Sequence, residues 1–416
     1  MDSVTVRGGA RLVGEVSVSG SKYVGLSAIP AAIMASRPTV IENLPDVSDV
    51  RVFCDILRSM GAKVEYSGGV AAIDPKGINS IAPPVDMVRK LRASYYLMGA
   101  LLGRYGEAEV PLPGGDDIGP RPIDQHLKGF RALGADVSIE HGIVKASATK
   151  LLGAPIYLDV VSVGATINIM MAAIFAEGVT TIVNVDRGPW IIDLANMLNA
   201  MGARIVGAGT ETLRIQGIKE LGGCQHSIIP DQSEAATLMI ASAMTGGDVV
   251  VKDIITDHLD AMIAKLRETG AVVVPGEGFV RVIGPSRPTA VNVKTLPYPG
   301  FFTDFQAPMS TMLTRAEGMS IVTETIWDER FKHLEELTKM GAKARIEGRN
   351  AIIEGVRELS SAEVTGTDLR ASASLVLAGL VADGETTVHG IDHMDRGYQR
   401  LDEKLIKLGG DIRRIS

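Results

Sequence analysis

One unit recurs six times along the 416 residues, and this recurrence constrains the fold more than any other feature of the chain. LRSMGAKVEY, FRALGADVSI, LNAMGARIVG, LRETGAVVVP, LTKMGAKARI and LIKLGGDIRRI each read as a helix end, a glycine and a short strand. The shared glycines are Gly61, Gly134, Gly202, Gly270, Gly341 and Gly409, at intervals of 73, 68, 68, 71 and 68 residues. The apolar stripe ahead of each glycine predicts an amphipathic helix closed by a left-handed cap, and the alternation after it predicts a strand.

A second, more apolar helix is predicted between successive markers, as in VGATINIMMAAIFAEG and SEAATLMIASAMTGG. Small and apolar residues point in nearly every direction, so these helices must be buried on most sides. Six such units divide most simply into two α/β domains of three, each enclosing its apolar helices in a ring of sheets. Polar residues stand where the buried helices are predicted to begin: Lys22, Arg92, Ser162, Gln232, Asp304 and Arg370. Helix N-termini carry free N–H groups and partial positive charge, so facing starts would build a cationic cleft. The same residue types also serve as ordinary caps and surface charge, and the residues alone leave both readings open.

Composition narrows the function. Forty-two basic and 49 acidic residues are scattered without long single-sign blocks, which argues against a nucleic-acid tract or a polybasic membrane anchor. Any anionic ligand must therefore meet locally focused arginines. Cys54 and Cys224 form no metal or redox motif, so reduced thiols are expected. The N-terminal segment alternates like a strand and lacks the pattern of a signal peptide, and the apolar stretches are too short to span a bilayer. A cytoplasmic protein is expected, with no metal, no cofactor and no obligatory protein partner. The stretch PGGDDIGPRPID at 113–124 places two acids in a glycine turn ahead of an arginine held between prolines. It reads either as an acidic surface turn or as a functional loop.

These features resemble the enolpyruvyl transferases. SGSK at 19–22, PGG with IGPRPID, SVGAT at 162–166, TDLRASASLVLAG at 367–379 and MDRGYQRLDEKL at 394–405 carry the resemblance. Within the family it is nearest to the members that act on UDP-N-acetylglucosamine, rather than to the sister enzymes of shikimate 3-phosphate. The resemblance implies a two-domain inside-out α/β barrel of six repeated units, with residues 22–229 in one domain and residues 1–21 and 230–416 in the other. It implies transfer of the enolpyruvyl group of phosphoenolpyruvate to the 3-hydroxyl of the nucleotide sugar with loss of phosphate, the first committed step of peptidoglycan synthesis. Lys22, Arg121, Arg330, Arg370 and Arg396 match the residues that hold phosphoenolpyruvate, a donor whose two anionic groups need fixed guanidiniums. Asp304 matches the base that takes the acceptor proton. Tyr23, Arg92, Arg121, Pro122, Ile123, Asp124, Ser162, Val163, Gly164, Asp304 and Ile326 match the acceptor contacts. Asp116 stands where a cysteine usually acts as the acid toward the donor methylene and is alkylated by the epoxide fosfomycin.

Other positions depart from the family pattern, all toward the acceptor. Tyr23 replaces an asparagine, Val160 a lysine, Arg187-Gly188-Pro189-Trp190 an Arg-Glu-Pro-Glu run, and Gln232 a common arginine. Three readings follow: the cell-wall enzyme with a divergent pocket, a transferase acting on another uridine nucleotide such as a monophosphate, and a non-catalytic nucleotide-binding paralogue.

Overall fold

The computed structural model describes residues 3–112, 114 and 118–415. The chain divides into two compact units, each taken by itself below. One comprises Met1–Ser19, Asp116–Pro120 and Pro230–Ser416, and the other Gly20–Gly115 and Arg121–Ile229.

In the second of these units the helix Leu97–Tyr105 packs against both Val163–Ala173 and Lys22–Ala32. Around them lie two sheets of four strands and one of three, among the described residues. A representative sheet shows how one repeat is built: Lys63–Ser67 and Val70–Asp74 form a hairpin, Thr39–Glu42 pairs antiparallel with the latter, and Gln225–Ser227 pairs parallel with Thr39–Glu42. The amphipathic helices Ser48–Ser59, Asp124–Ala132 and Pro189–Ala200 lie between inner helices and strands.

The other unit repeats the scheme with the buried helices Gln232–Met244, Gln306–Leu313 and Leu369–Val381. Gln232–Met244 is buried at every position, as its lack of a polar face requires. The strand Ser3–Arg7 runs antiparallel between Glu385–His389 and Asp411–Ile415, so the start and the end of the chain share a sheet. Val13–Ser17 pairs parallel with Asp248–Lys252. Helices inside and sheets outside make each unit an inside-out α/β fold.

All six repeat glycines have positive φ, between 87° and 108°, which is the left-handed cap their spacing predicts. The helix starts differ in one respect from the sequence expectation. Asp231 accepts the N–H groups of Ser233 and Glu234, and Asp368 those of Arg370 and Ala371. At these two starts an aspartate already satisfies the orphan donors that an anion would use, so anion recognition there falls to side chains.

The caps are not equally demanding. A Cβ on Gly61 would lie 2.1 Å from the Gly77 carbonyl oxygen, whereas one on Gly202 would meet nothing within 4 Å. Gly202→Ala is expected to cost about 1–3 kcal/mol through its positive φ alone. Gly61→Ala should cost at least about 1 kcal/mol more, because backbone must move. Urea unfolding of the two variants checks the order, and equal midpoints would show that the repeat caps tolerate a methyl group alike.

Candidate active site

In the unit that holds residues 230–416, three of the residues singled out in the sequence converge. Asp304 sits in the short turn Thr303–Phe305 ahead of the helix Gln306–Leu313 and is 3% exposed. Arg330 donates Nη2 to its Oδ1 at 2.5 Å, and Arg370 donates Nε and Nη2 to its Oδ2 at 3.0 and 2.7 Å. Both guanidiniums are themselves buried, at 7% and 2% exposure. Separating such a pair would leave a charge in a poorly solvated interior, so the trio acts as one element.

Further side chains hold the trio in place. Arg330 Nη1 donates to Thr303 Oγ1, and Thr303 in turn donates to Glu324. The buried Glu324 also accepts from Thr295 and from the Ile326 and Trp327 N–H groups, which fixes the turn carrying Ile326. Arg370 lies 4.8 Å from the centre of the Tyr398 ring, whose hydroxyl shares a 2.8 Å hydrogen bond with Thr237. That cation–π contact sits two residues beyond Arg396, a half-buried residue at the end of the short helix Asp392–Asp395. Glu324, Thr303 and Tyr398 escaped the sequence reading. VTETIW carries no spacing that marks its glutamate, and Tyr398 lay within a quoted motif without a role.

In the other unit, Lys22 opens its helix and pairs with the buried Asp49 at 2.7 Å. The Tyr23 ring packs on Trp190 at 5.7 Å between centroids. Trp190 is 2% exposed and donates Nε1 to Asp186, which also accepts the Gly188 N–H. A Cβ at 188 would meet the Trp190 ring at 2.2 Å, so the indole requires glycine at 188. Burial pushes the Asp186 carboxyl up, against the two hydrogen bonds and the Arg187 charge. Val160 is exposed.

Arg92 donates to the Arg121 carbonyl at 2.9 Å and lies over the Tyr95 ring. Burial lowers its pKa, with the Arg121 charge acting in the same direction. Pro122 and Asp124 are exposed, Ile123 is buried, and Asp124 begins the helix Asp124–Ala132. Ser162 caps Val163–Ala173 through its hydroxyl, which accepts from the Ala165 N–H. Gly164 has no room for a side chain, because a Cβ would stand 2.6 Å from the Tyr95 hydroxyl. Asp116 lies outside the described residues.

The chain as a whole matches a known family. Residues 6–405 match the family of EPSP synthase (3-phosphoshikimate 1-carboxyvinyltransferase), and the chain belongs to it. More particularly, it is 52% identical over 415 residues to UDP-N-acetylglucosamine 1-carboxyvinyltransferase 3 of Caldanaerobacter subterraneus subsp. tengcongensis, covering 100% of both chains. It is 51% identical to UDP-N-acetylglucosamine 1-carboxyvinyltransferase 2 of Bacillus subtilis over 99% of this chain and 96% of that one. Among solved structures, the enolpyruvyl transferase NikO from Streptomyces tendae superimposes with a TM-score of 0.89 at 27% identity, over 99% of this chain and 98% of that chain. EPSP synthase of Acinetobacter baumannii shares the fold at a TM-score of 0.78 and 22% identity, with both chains covered completely.

Below Ser162 and Gly164 the buried His126 is locked in its neutral form. Asn168 Oδ1 accepts the Gly99 N–H, so its Nδ2 donates to His126 Nδ1 at 2.9 Å. Burial, helped by the Arg92 charge, pushes the imidazole down to about 3. An unfolded histidine titrates near 6.5, so below that pH the unfolded chain takes up a proton that the folded one refuses. Stability attributable to His126 is therefore present above about pH 6.5 and lost as pH falls toward 3, by up to about 1.4 kcal/mol per unit. His126→Gln should flatten the acid limb of stability against pH by that slope, as read by urea midpoints between about pH 6.5 and 4.5. Parallel curves would show that this histidine titrates normally.

Proposed function

We propose that this protein transfers the enolpyruvyl group of phosphoenolpyruvate to the 3-hydroxyl of UDP-N-acetylglucosamine, releasing phosphate in the first committed step of peptidoglycan synthesis. The observation that carries this reading is identity above one half, end to end, with carboxyvinyltransferases of that nucleotide sugar. The Asp304–Arg330–Arg370 cluster supports it chemically. Arg330, Arg370 and Arg396, with Lys22 and Arg121, neutralise the carboxylate and phosphate of the donor and of the addition intermediate. Asp304 takes the proton of the acceptor hydroxyl as its oxygen bonds to C2 of the donor. Asp116 delivers a proton to C3. The C2–phosphate bond then breaks, and a proton leaves C3 to regenerate the double bond.

The acceptor is held by Tyr23, Arg92, Arg121, Pro122, Ile123, Asp124, Ser162, Val163, Gly164 and Ile326. In this reading residues 22–229 form one domain and residues 1–21 and 230–416 the domain with the base, although Asp116–Pro120 group with the latter unit. Cytoplasmic residence belongs to the same reading and is supported by the free thiols of Cys54 and Cys224. Among the described residues, no helix is long and apolar enough to cross a membrane.

A second reading, transfer to another uridine nucleotide, is favoured by the Tyr23–Trp190 packing, which fills two acceptor-side positions with aromatic rings. Phosphate release measured against UDP-N-acetylglucosamine, UDP-glucose and uridine monophosphate separates the two. Turnover with the monophosphate alone would establish the second.

Asp304→Asn should lower turnover by about two to four orders of magnitude while phosphoenolpyruvate still binds, as followed by phosphate release and calorimetry. Near-normal turnover would remove Asp304 from proton transfer.

Thiolates open epoxides far faster than carboxylates do, so the protein should survive fosfomycin without a covalent adduct. Asp116→Cys should gain one adduct per chain and stay active, and Asp116→Asn should lose activity by about 10²–10⁴-fold. Intact-protein mass spectrometry and phosphate release decide. An adduct on the unsubstituted protein, or a fully active Asp116→Asn, would exclude Asp116 as the acid.

A further inference from the structure

The strand Asp411–Ile415 carries a charge on its inward face. Arg414 pairs in register with the buried Val4 and lies two residues beyond the buried Ile412, so its side chain leaves the sheet on the side of the core. There its guanidinium bridges two carboxylates. Nη1 and Nη2 donate to the two oxygens of Asp395 at 2.7 and 2.6 Å, while Nε and Nη2 donate to those of Asp402 at 2.6 and 3.2 Å. Asp402 is buried, and Arg414 is the cation that both acids share. Two carboxylates held this closely repel one another unless a cation stands between them.

The two acids mark the ends of one loop. Asp395 closes the short helix Asp392–Asp395, Asp402 lies in the first turn of the helix Leu401–Lys407, and Arg396, Gly397 and Tyr398 lie between them. The loop is packed closely against the site. A Cβ at Gly397 would come 2.2 Å from Cδ1 of Leu369, the residue before Arg370, and the Tyr398 ring centre is 4.8 Å from the Arg370 guanidinium. Arg400 holds a left-handed φ of 52°, which a residue with a side chain keeps only where its surroundings impose it. A shift of this loop would therefore move Arg396 and disturb the guanidinium that reaches Asp304.

We propose that Arg414 is a positioning residue for phosphoenolpyruvate. By clamping Asp395 to Asp402 it fixes the loop that carries Arg396 and supports Arg370, two of the guanidiniums that meet the anionic groups of the donor, and it does so without touching the donor. The clamp needs a planar fork with several N–H groups, because a single ammonium cannot span both carboxylates in this way. This inference rests on phosphoenolpyruvate being the donor and is indifferent to which nucleotide accepts.

Steady-state phosphate release, with phosphoenolpyruvate and the acceptor varied in turn, tests the clamp. Arg414→Gln should raise KM for phosphoenolpyruvate about 10- to 100-fold, with a smaller fall in kcat and the acceptor KM within about twofold. Arg414→Lys should lie between. Adding Asp395→Asn to Arg414→Gln removes the repulsion and should bring the donor KM back by about threefold or more. Ile412→Ala, which weakens the same strand through packing alone, should lower the melting temperature yet keep both KM values. If the protein is active and both Arg414 variants keep the donor KM within about twofold, the clamp does not position the donor site and the functional reading stands. If Ile412→Ala raises the donor KM as much as Arg414→Gln does, the effect is a general loosening of the strand and the inference falls. If the unsubstituted protein releases no phosphate from phosphoenolpyruvate with UDP-N-acetylglucosamine, UDP-glucose or uridine monophosphate, the functional reading falls and this inference falls with it.

Discussion

A carboxylate buried between two guanidiniums is the interaction on which the rest of the candidate site depends. Asp304 is reached by Arg330 on one oxygen and by Arg370 on the other. Withdrawing three charges from water is expensive, and removing one partner of such a group typically costs about 3–5 kcal/mol. The surrounding structure is arranged to keep the group together. Thr303 and Glu324 orient Arg330, while the Asp368 cap and the Tyr398 ring orient Arg370. These supports come from four separate segments of the chain, so the site exists only once the whole unit has closed.

The other unit prepares its residues in a similar way. Lys22 is held by Asp49, Arg92 by the Arg121 carbonyl, and Trp190 by Asp186. In each case a large side chain is held in one orientation by its partner, which lowers the conformational entropy that a side chain would lose on being ordered. Gly188 and Trp190 depend on one another, since the indole occupies the space that a Cβ at 188 would need. Tyr23, Asp186, Gly188 and Trp190 thus form one packed set.

Much of the architecture was legible in the chain. The evenly spaced glycines predicted six caps, and each proved to have positive φ. The uniformly apolar helices predicted the interior, and Gln232–Met244 is buried along its whole length. The motifs around Arg121, Ser162, Arg370 and Arg396 pointed to the family that the full-length comparison shows. What the sequence reading did not separate were the helix starts and their caps. Lys22 and Gln232 are the first residues of their helices and Arg370 the second of its own, as read, while Ser21, Asp231 and Asp368 cap those helices one or two residues earlier. A cap and its neighbour have the same local composition, and only the direction of the side chain separates them.

By itself, then, the sequence determined the repeat, the α/β class and the enolpyruvyl transferase family, because glycine caps, apolar periodicity and contiguous motifs are local properties written in consecutive residues. The tertiary structure alone decided that Glu324 braces Arg330 through Thr303, that Tyr398 lies under Arg370, and that the buried Gln232 carboxamide has neither end paired among the described residues. Those facts join residues tens to more than one hundred positions apart, as in the Thr237–Tyr398 bond spanning 161 residues. Hydrogen bonding and burial act through space, and no spacing along the chain encodes which distant side chains will meet.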